Sequence, residues 1–196
     1  MIEAIVLAAG LGTRMGQAKP LLLVDGEPAL ARVLRRIRDA GLAHPVVVLG
    51  APSAQRIDEA VDLTDATIVL NESPEAGMSG SLRLGLAAVS GEAAGALVFH
   101  ADMPFVATET VQAVVRAADC GADIAAPRFR GHRGFPVFFR QARFPELRES
   151  LVGDTGGRAY LETHRDELVC VDVDDPGCVH DIDRPGDLKA WKEERT

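Results

Sequence analysis

Seven short runs of apolar residues recur along the chain and predict buried strands. Longer amphipathic or polar segments separate them. Continuous apolar runs of this length are typical of strands that are covered on both faces, as in a parallel sheet. The runs are 4–8, 45–49, 67–70, 96–99, 124–126, 134–139 and 168–173.

The segments between these runs carry apolar residues at helical spacing. One such face, opposite a row of arginines and ended by Gly41, consists of Leu30, Val33, Leu34 and Ile37. Strands that alternate with helices predict a three-layer, Rossmann-like α/β fold, with a mainly parallel mixed sheet of about seven strands. Ligands of such sheets bind beyond the carboxyl ends of the strands. Further predicted helices are 80–89, 108–118, 156–164 and a polar final helix, 185–194.

Length and composition predict one compact domain with a substantial core. The chain has 196 residues, 47% of them hydrophobic and 26% charged, which favours a single domain over 1–196. We find no internal repeat and no linker of biased composition. A formal charge of −8 argues against binding to nucleic acid or to an anionic membrane.

The cysteines and the N-terminal segment bear on the compartment. Cys120, Cys170 and Cys178 are odd in number and contain no CxxC pair, which argues against a disulfide framework or a structural zinc site. The first apolar run is too short to span a bilayer and has Glu3 in place of a basic region. We therefore expect a cytoplasmic protein that does not enter a membrane.

The loop after the first run is rich in glycine and carries two basic residues. From position 7 to 20 it reads L-A-A-G-L-G-T-R-M-G-Q-A-K-P. Gly10, Gly12 and Gly16 allow the backbone to approach a ligand and to donate N–H groups. Arg14 and Lys19 add a forked and a mobile positive charge, a combination that favours a triphosphate.

Other glycine loops fit this segment poorly. No Gly-Lys-Ser/Thr follows at P-loop spacing, and the glycines are spaced G-x-G-x-x-x-G rather than as a dinucleotide fingerprint. Three alternatives stay open at this point. They are an NAD(P)-dependent oxidoreductase, a nucleotide-binding module without chemistry, and an ordinary flexible turn.

The same loop resembles the signature L-A-A-G-x-G/S-x-R-M-G-x-x-K of the MobA-like nucleotidyltransferases, which are related to the enzymes that complete the molybdenum cofactor. The resemblance implies the nucleotidyltransferase version of the Rossmann-like fold. It also implies that Arg14 and Lys19 are catalytic. The nucleotide-binding residues that it implies in this loop are Leu7, Ala8, Ala9, Gly10, Gly12, Arg14 and Lys19.

A second segment is similar to the cytidylyltransferase branch of that family. Residues 77–86 read G-M-S-G-S-L-R-L-G-L, close to the branch's G-M-S-x-S-L-R-x-G-L. The resemblance places Gly77, Ser79 and Ser81 near the base and ribose and favours CTP. From the residues alone, the serines could equally cap a helix. Gly80 stands where the branch often has serine, which leaves GTP or another nucleotide open.

Two acidic motifs predict a Mg²⁺ site. Asp102 follows the run 96–99 in H-A-D-M-P, where it could be an ordinary turn residue, but it resembles the family's D-x-P metal ligand. Residues 181–188, D-I-D-R-P-G-D-L, resemble the family ending D-I-D-T-P-E-D-L, which implies Asp183 as the second ligand. Asp181 is the alternative, and this segment also has the features of a helix start.

Two further segments resemble the acceptor side of the family. Residues 131–137 and 153–158 are similar to G-x-x-G-H-P-V and G-D-x-G-A-R, although Phe135 stands in place of the expected histidine. The arginines in them suit an acceptor phosphate or an ordinary surface ion pair equally. The acceptor-binding residues implied are His132, Arg133, Gly134, Asp154 and Arg158.

Together the motifs predict Mg²⁺-dependent transfer of CMP from CTP to the phosphate of molybdopterin or the molybdenum cofactor, with release of pyrophosphate. Another phosphorylated acceptor is the alternative, ahead of the oxidoreductase. A phosphate monoester is already anionic near neutral pH, so no general base is required. The resemblance also implies a molybdoenzyme or its maturation chaperone as the protein partner.

Overall fold

A central sheet carries most of the chain in a computed structural model that describes residues 1–10, 18–183, 186–188 and 191. Its strand order is β10-β7-β9-β6-β1-β4-β5, with β8 paired to β7, while β2 and β3 form a separate ribbon. The strands are β1 (Ile2–Ala8), β2 (Leu23–Val24), β3 (Glu27–Pro28), β4 (Val46–Gly50), β5 (Thr67–Asn71), β6 (Gly95–His100), β7 (Ile124–Phe129), β8 (His132–Arg133), β9 (Val137–Arg140) and β10 (Leu168–Asp172).

The sheet is mixed but mainly parallel. β1 pairs in parallel with β4 and β6, β4 with β5, and β7 with β10, whereas β9 is antiparallel to both of its neighbours. Two successive antiparallel pairings restore the direction, so β7 runs parallel to β6. The carboxyl ends of all the long strands except β9 therefore lie at one edge of the sheet.

Helices cover both faces, as the alternation along β1 requires. Ala4, Val6 and Ala8 face one apolar layer, and Ile5 and Leu7 face the other. The first layer contains α1, α2 and α4, and the second contains α3, α5 and α6. The helices are α1 (Ala29–Asp39), α2 (Ala51–Ala60), α3 (Met78–Ala88), α4 (Thr108–Asp119), α5 (Phe144–Ser150) and α6 (Arg158–Thr163).

The predicted three-layer α/β fold with a mainly parallel sheet of about seven strands is thus confirmed. The predicted strand 134–139 begins later, at Val137, because the preceding backbone leaves the ladder. There, Gly134 donates its N–H to the carbonyl of Pro127, and Phe135 donates to Cys178. Helices α2 and α5 and the two-residue strands were not predicted. Most of the predicted final helix lies outside the described residues. The parts of it that are described, 186–188 and 191, are helical.

Within the described part of the chain, no helix combines the length and the apolar character needed to cross a bilayer.

Candidate active site

A cleft of about 440 Å³ opens at the edge where the parallel strands end. This volume is within the usual range for small-molecule sites. The cleft lies between the segment that follows β1, the start of α3 and the segment that follows β6. Its lining residues are Leu7, Ala8, Ala9, Gly10, Lys19, Pro20, Pro74, Glu75, Gly77, Met78, Ser81, His100, Ala101, Asp102, Asp154 and Asp183.

Three carboxylates converge on one side of this cleft. Asp102 follows β6, and Asp181 and Asp183 come from the C-terminal segment, yet one oxygen of each lies within 4.8 Å of the others. The backbone joins the two segments, because Ile182 donates its N–H to the carbonyl of Asp102 at 2.9 Å. Ile182 itself is fully buried among apolar residues and anchors the segment. Oxygen donors arranged in this way fit Mg²⁺ or Mn²⁺.

Lys19 connects two of these carboxylates. It begins a short 3-10 turn, Lys19–Leu21, and its Nζ donates to Asp102 Oδ2 at 3.0 Å and also to Asp183. Burial by itself lowers the pKa of Lys19, but the hydrogen bonds and charges of Asp183 and Asp102 outweigh it and raise that pKa. Lys19 is therefore a firmly charged ammonium at neutral pH.

Burial and neighbouring charge also change the ionisation of two other groups. Burial, followed by the charges of Asp183 and Asp102, raises the pKa of Asp181. Burial lowers the pKa of His100, and the nearby carboxylates offset only part of this effect. The ring of His100 packs against that of Phe135 with centroids 4.2 Å apart. The cleft thus presents a neutral imidazole beside the acidic residues.

The start of α3 forms the opposite wall together with the loop that contains Asp154. Asp154 Oδ1 accepts the N–H of Met78 at 2.8 Å, so a carboxylate from another segment satisfies the first turn of α3. Gly77 has a φ of +98°, and a Cβ there would lie 2.8 Å from the Cα of Asp154. Only glycine allows this close contact between the two segments.

The two predicted serines of α3 have different surroundings. Ser81 lines the cleft, and its Oγ accepts a hydrogen bond from Asn71 Nδ2 at 3.0 Å. Asn71, at the end of β5, also accepts the N–H of Ser73 at 3.0 Å. Ser79 Oγ is buried and has no hydrogen-bond partner among the described residues. Neither serine caps α3, because both lie within the helix; its N-cap is Gly77, and the N–H of Met78 is accepted by the Asp154 carboxylate.

Of the predicted acceptor residues, the structure brings only Asp154 to the cleft. His132 and Arg133 are exposed on β8, which pairs with β7, and neither residue is among those that line the cleft. Gly134 packs against the backbone of Cys178. Arg158 is 76% exposed and pairs with Glu162 on its own helix at 2.9 Å.

Some of the predicted nucleotide-binding residues line the cleft, and others lie outside the described residues. Leu7, Ala8, Ala9 and Gly10 line the cleft, as do Gly77 and Ser81, whereas Gly12 and Arg14 lie outside the described residues. Several lining residues were not predicted to contact ligands: Pro74, Glu75, Met78 and His100. His100 and Asn71 each stand one residue beyond a predicted strand, which is where ligand-binding side chains of parallel sheets collect. Their position directly after a predicted strand could have identified them from the sequence.

Comparison with known proteins agrees with this arrangement. Residues 4–168 match the family described as MobA-like NTP transferase domain. Rv0371c from Mycobacterium tuberculosis H37Rv superimposes with a TM-score of 0.86 at 30% identity, covering 98% of this chain and 97% of that one. A complex of Rv0371c with manganese gives a TM-score of 0.83 at 30% identity, over 98% of both chains.

Curated relatives are longer proteins. The bifunctional protein GlmU of Anaeromyxobacter sp. (strain K) is 31% identical over 183 residues, which are 88% of this chain and 37% of GlmU. The bifunctional IPC transferase and DIPP synthase of Thermococcus kodakarensis is 39% identical over 93 residues, 46% of this chain and 22% of the relative. The chain spans well under half the length of these relatives. Since the family match covers most of the chain, the protein belongs to the MobA-like NTP transferase family of nucleotidyltransferases.

Proposed function

We propose that this cleft transfers a nucleotidyl group from a nucleoside triphosphate to a phosphorylated small molecule, with the help of a divalent metal ion. The observation that carries the proposal is the contact of Lys19 with Asp102 and Asp183 in the cleft. The carboxylates can hold a divalent metal ion. This ion and the Lys19 ammonium would together neutralise the negative charge of a triphosphate while pyrophosphate leaves.

The described residues divide this work between them. Ala9 and Gly10, directly after β1, would offer backbone N–H groups to the phosphates, and Lys19 would supply a mobile positive charge. Asp102 and Asp183, with Asp181 beside them, would hold the metal ion, which when bound polarises the α-phosphoryl group. The acceptor phosphate attacks the α-phosphorus without a general base, because it is already an anion.

Mg²⁺ is our first choice of metal, and Mn²⁺ the second. The donors are carboxylate oxygens, which suit both ions. The related Rv0371c has been solved as a complex with manganese. Arg14 remains a predicted catalytic residue from the signature and lies outside the described residues.

For the substrates, we propose CTP as the donor and the phosphate of molybdopterin or the molybdenum cofactor as the acceptor. The support is the similarity of residues 77–86 to the cytidylyltransferase branch and the position of Gly77 and Ser81 in the cleft wall. A second candidate is transfer to a different phosphorylated acceptor. The relatives named GlmU and IPC transferase favour that candidate, and His132 and Arg133 are not among the residues that line the cleft.

Cytoplasmic location and a molybdoenzyme or chaperone partner belong to the same proposal. The three cysteines are unpaired in the structure, which suits a reducing compartment. The partner follows only from the molybdenum cofactor as acceptor.

Pyrophosphate release tests the proposal directly. The protein is incubated with Mg²⁺ or Mn²⁺, each of the four NTPs and a panel of acceptors that contains molybdopterin and several sugar phosphates. We expect metal-dependent turnover, with CTP and molybdopterin as the best pair. Turnover with a sugar phosphate alone would support the second candidate, and no metal-dependent turnover with any pair would refute the activity.

The variant Asp102→Asn provides the matched control for that assay. It keeps the size of the side chain but removes the negative charge that the metal ion requires, so turnover should fall by about 100-fold or more. Circular dichroism should show the fold retained. A rate close to the wild type at saturating metal would exclude Asp102 as a ligand.

A further inference from the structure

Lys19 lies between the two carboxylates that we assign to the metal. Its Nζ is 3.0 Å from Asp102 Oδ2 and also donates to Asp183. The side chains of Lys19 and Asp102 are only 22% and 21% exposed, so water screens this contact weakly. Lys19 is the only Lys or Arg among the described residues that line the cleft.

The same oxygen atoms cannot serve Lys19 and a metal ion together. Mg²⁺ bonds carboxylate oxygens at about 2.0–2.1 Å, so an ammonium in contact with the same oxygens would face a doubly charged ion at close range. One oxygen of each of the three carboxylates lies within 4.8 Å of the others, so a metal ion held by all three would lie close to the ammonium that already contacts Asp102 and Asp183. Without any cation beside them, the carboxylates of Asp102, Asp181 and Asp183 would repel one another.

We propose that Lys19 is a resident counter-ion of this acidic cluster, which holds Asp102 and Asp183 together until the metal binds and then moves its ammonium to the triphosphate. This inference rests on the proposed function, since a triphosphate is the group that receives the ammonium. Metal and nucleotide then favour each other: the nucleotide removes the ammonium from the metal ligands, and the metal releases Lys19 for the phosphates. The metal alone therefore binds weakly.

The lysine ammonium can be followed by NMR, because the chain has only three lysines, Lys19, Lys189 and Lys192. Protein labelled with ¹⁵N-lysine gives few side-chain signals, and Lys19→Met identifies one of them by its loss. Mg²⁺ is added without nucleotide while calorimetry records its binding. We expect the Lys19 signal to move toward that of a hydrated ammonium as Mg²⁺ saturates, with the other two signals as references. An unchanged Lys19 signal at saturating Mg²⁺ would overturn the proposal.

Mn²⁺ affinity, measured by EPR of the free ion, gives a second readout that does not depend on activity. Lys19→Met removes the competing cation and should bind Mn²⁺ about 10-fold more tightly than the wild type, or more, which is an ordinary size for coupled binding. Lys19→Arg keeps the charge and should show no gain. Equal or weaker binding by Lys19→Met, or no binding by either protein, would overturn the exchange. Since pyrophosphate release is not measured here, a failure of the exchange and a failure of the proposed function remain distinguishable.

Discussion

Two glycines of α3 differ in how closely they pack against the rest of the protein. A Cβ on Gly85 would lie 2.6 Å from Ile5 Cγ2 and 3.3 Å from Val48 Cγ2, inside the contact between α3 and the sheet. At Gly80, the nearest atom to a Cβ is Asn71 Nδ2 at 3.9 Å, an ordinary contact. The first glycine therefore fixes how closely the helix packs, whereas the second costs helix stability without a packing return.

Replacing each of these glycines by alanine should change stability in opposite directions. Gly80→Ala should raise the free energy of unfolding by about 0.5–1 kcal/mol, because alanine loses less backbone entropy. Gly85→Ala should lower it by roughly 1–2 kcal/mol, because overpacking exceeds the same gain. Urea unfolding of the two variants measures both changes. If Gly85→Ala were more stable than the wild type, the close packing of α3 against Ile5 would be refuted.

Individual site residues were predictable only where a motif identified them. Asp102 and Asp183 were chosen from separate motifs, and the structure brings them together with Asp181. The contact of Lys19 with them was not predicted, because it depends on how three distant segments meet. His132 and Arg133 belong to a motif that resembles the acceptor side, but they are exposed on β8 and do not line the cleft, which spacing along the chain does not reveal.

Among the elements, the junction of α3 with the loop 153–157 determines the shape of one cleft wall. Long strands with continuous apolar runs were predictable from pattern alone, and so were helices with a strong apolar face such as α1. Helix α2 was missed because Ile57 is its only fully buried residue, so its pattern is mostly polar. The contact between Asp154 and Met78 was missed for a different reason: it joins residues 76 positions apart.

Asp154→Ala tests this junction. The variant leaves the N–H of Met78 without its carboxylate acceptor, so the free energy of unfolding should fall by about 1 kcal/mol. Since the first turn of α3 would loosen, KM for the nucleotide should rise several-fold. Asp154→Asn still offers an oxygen to that N–H and should recover part of both losses. An unchanged KM in Asp154→Ala would show that the junction does not shape the nucleotide end of the cleft.

At the scale of the whole molecule, the two apolar layers share the same strands. Odd and even positions of β1 belong to different layers, so we propose that residues 1–196 unfold as one unit. Two buried groups bear on the stability of this unit at alkaline pH. Burial, with a smaller contribution from Asp175, raises the pKa of Cys178 from 9.0 to about 12. Burial and Glu146 raise the pKa of Tyr160 from 10.0 to about 12.

Stability should therefore decline as the pH rises above about 9. The unfolded chain loses the Cys178 proton near pH 9, whereas the folded protein keeps it until about pH 12, so in this window proton release favours unfolding. The decline is at most about 1.4 kcal/mol per pH unit for one group. In Cys178→Ala it should begin only near pH 10, from Tyr160. Urea unfolding between pH 8 and 10.5 measures both slopes, and parallel slopes would contradict the assignment to Cys178.

The hydrogen bond from Ile182 to Asp102 has a consequence for biosynthesis. Asp102 leaves the ribosome about eighty residues before Asp181 and Asp183, and by the time that those two residues are made all the strands of the sheet have been synthesised. A nascent or truncated chain that ends before Asp181 would contain Lys19 and Asp102 but only one of the three carboxylates that we propose to hold the metal ion. We therefore expect such fragments to lack the metal-dependent transfer proposed above, so that the activity would appear only after the segment 181–183 has been synthesised.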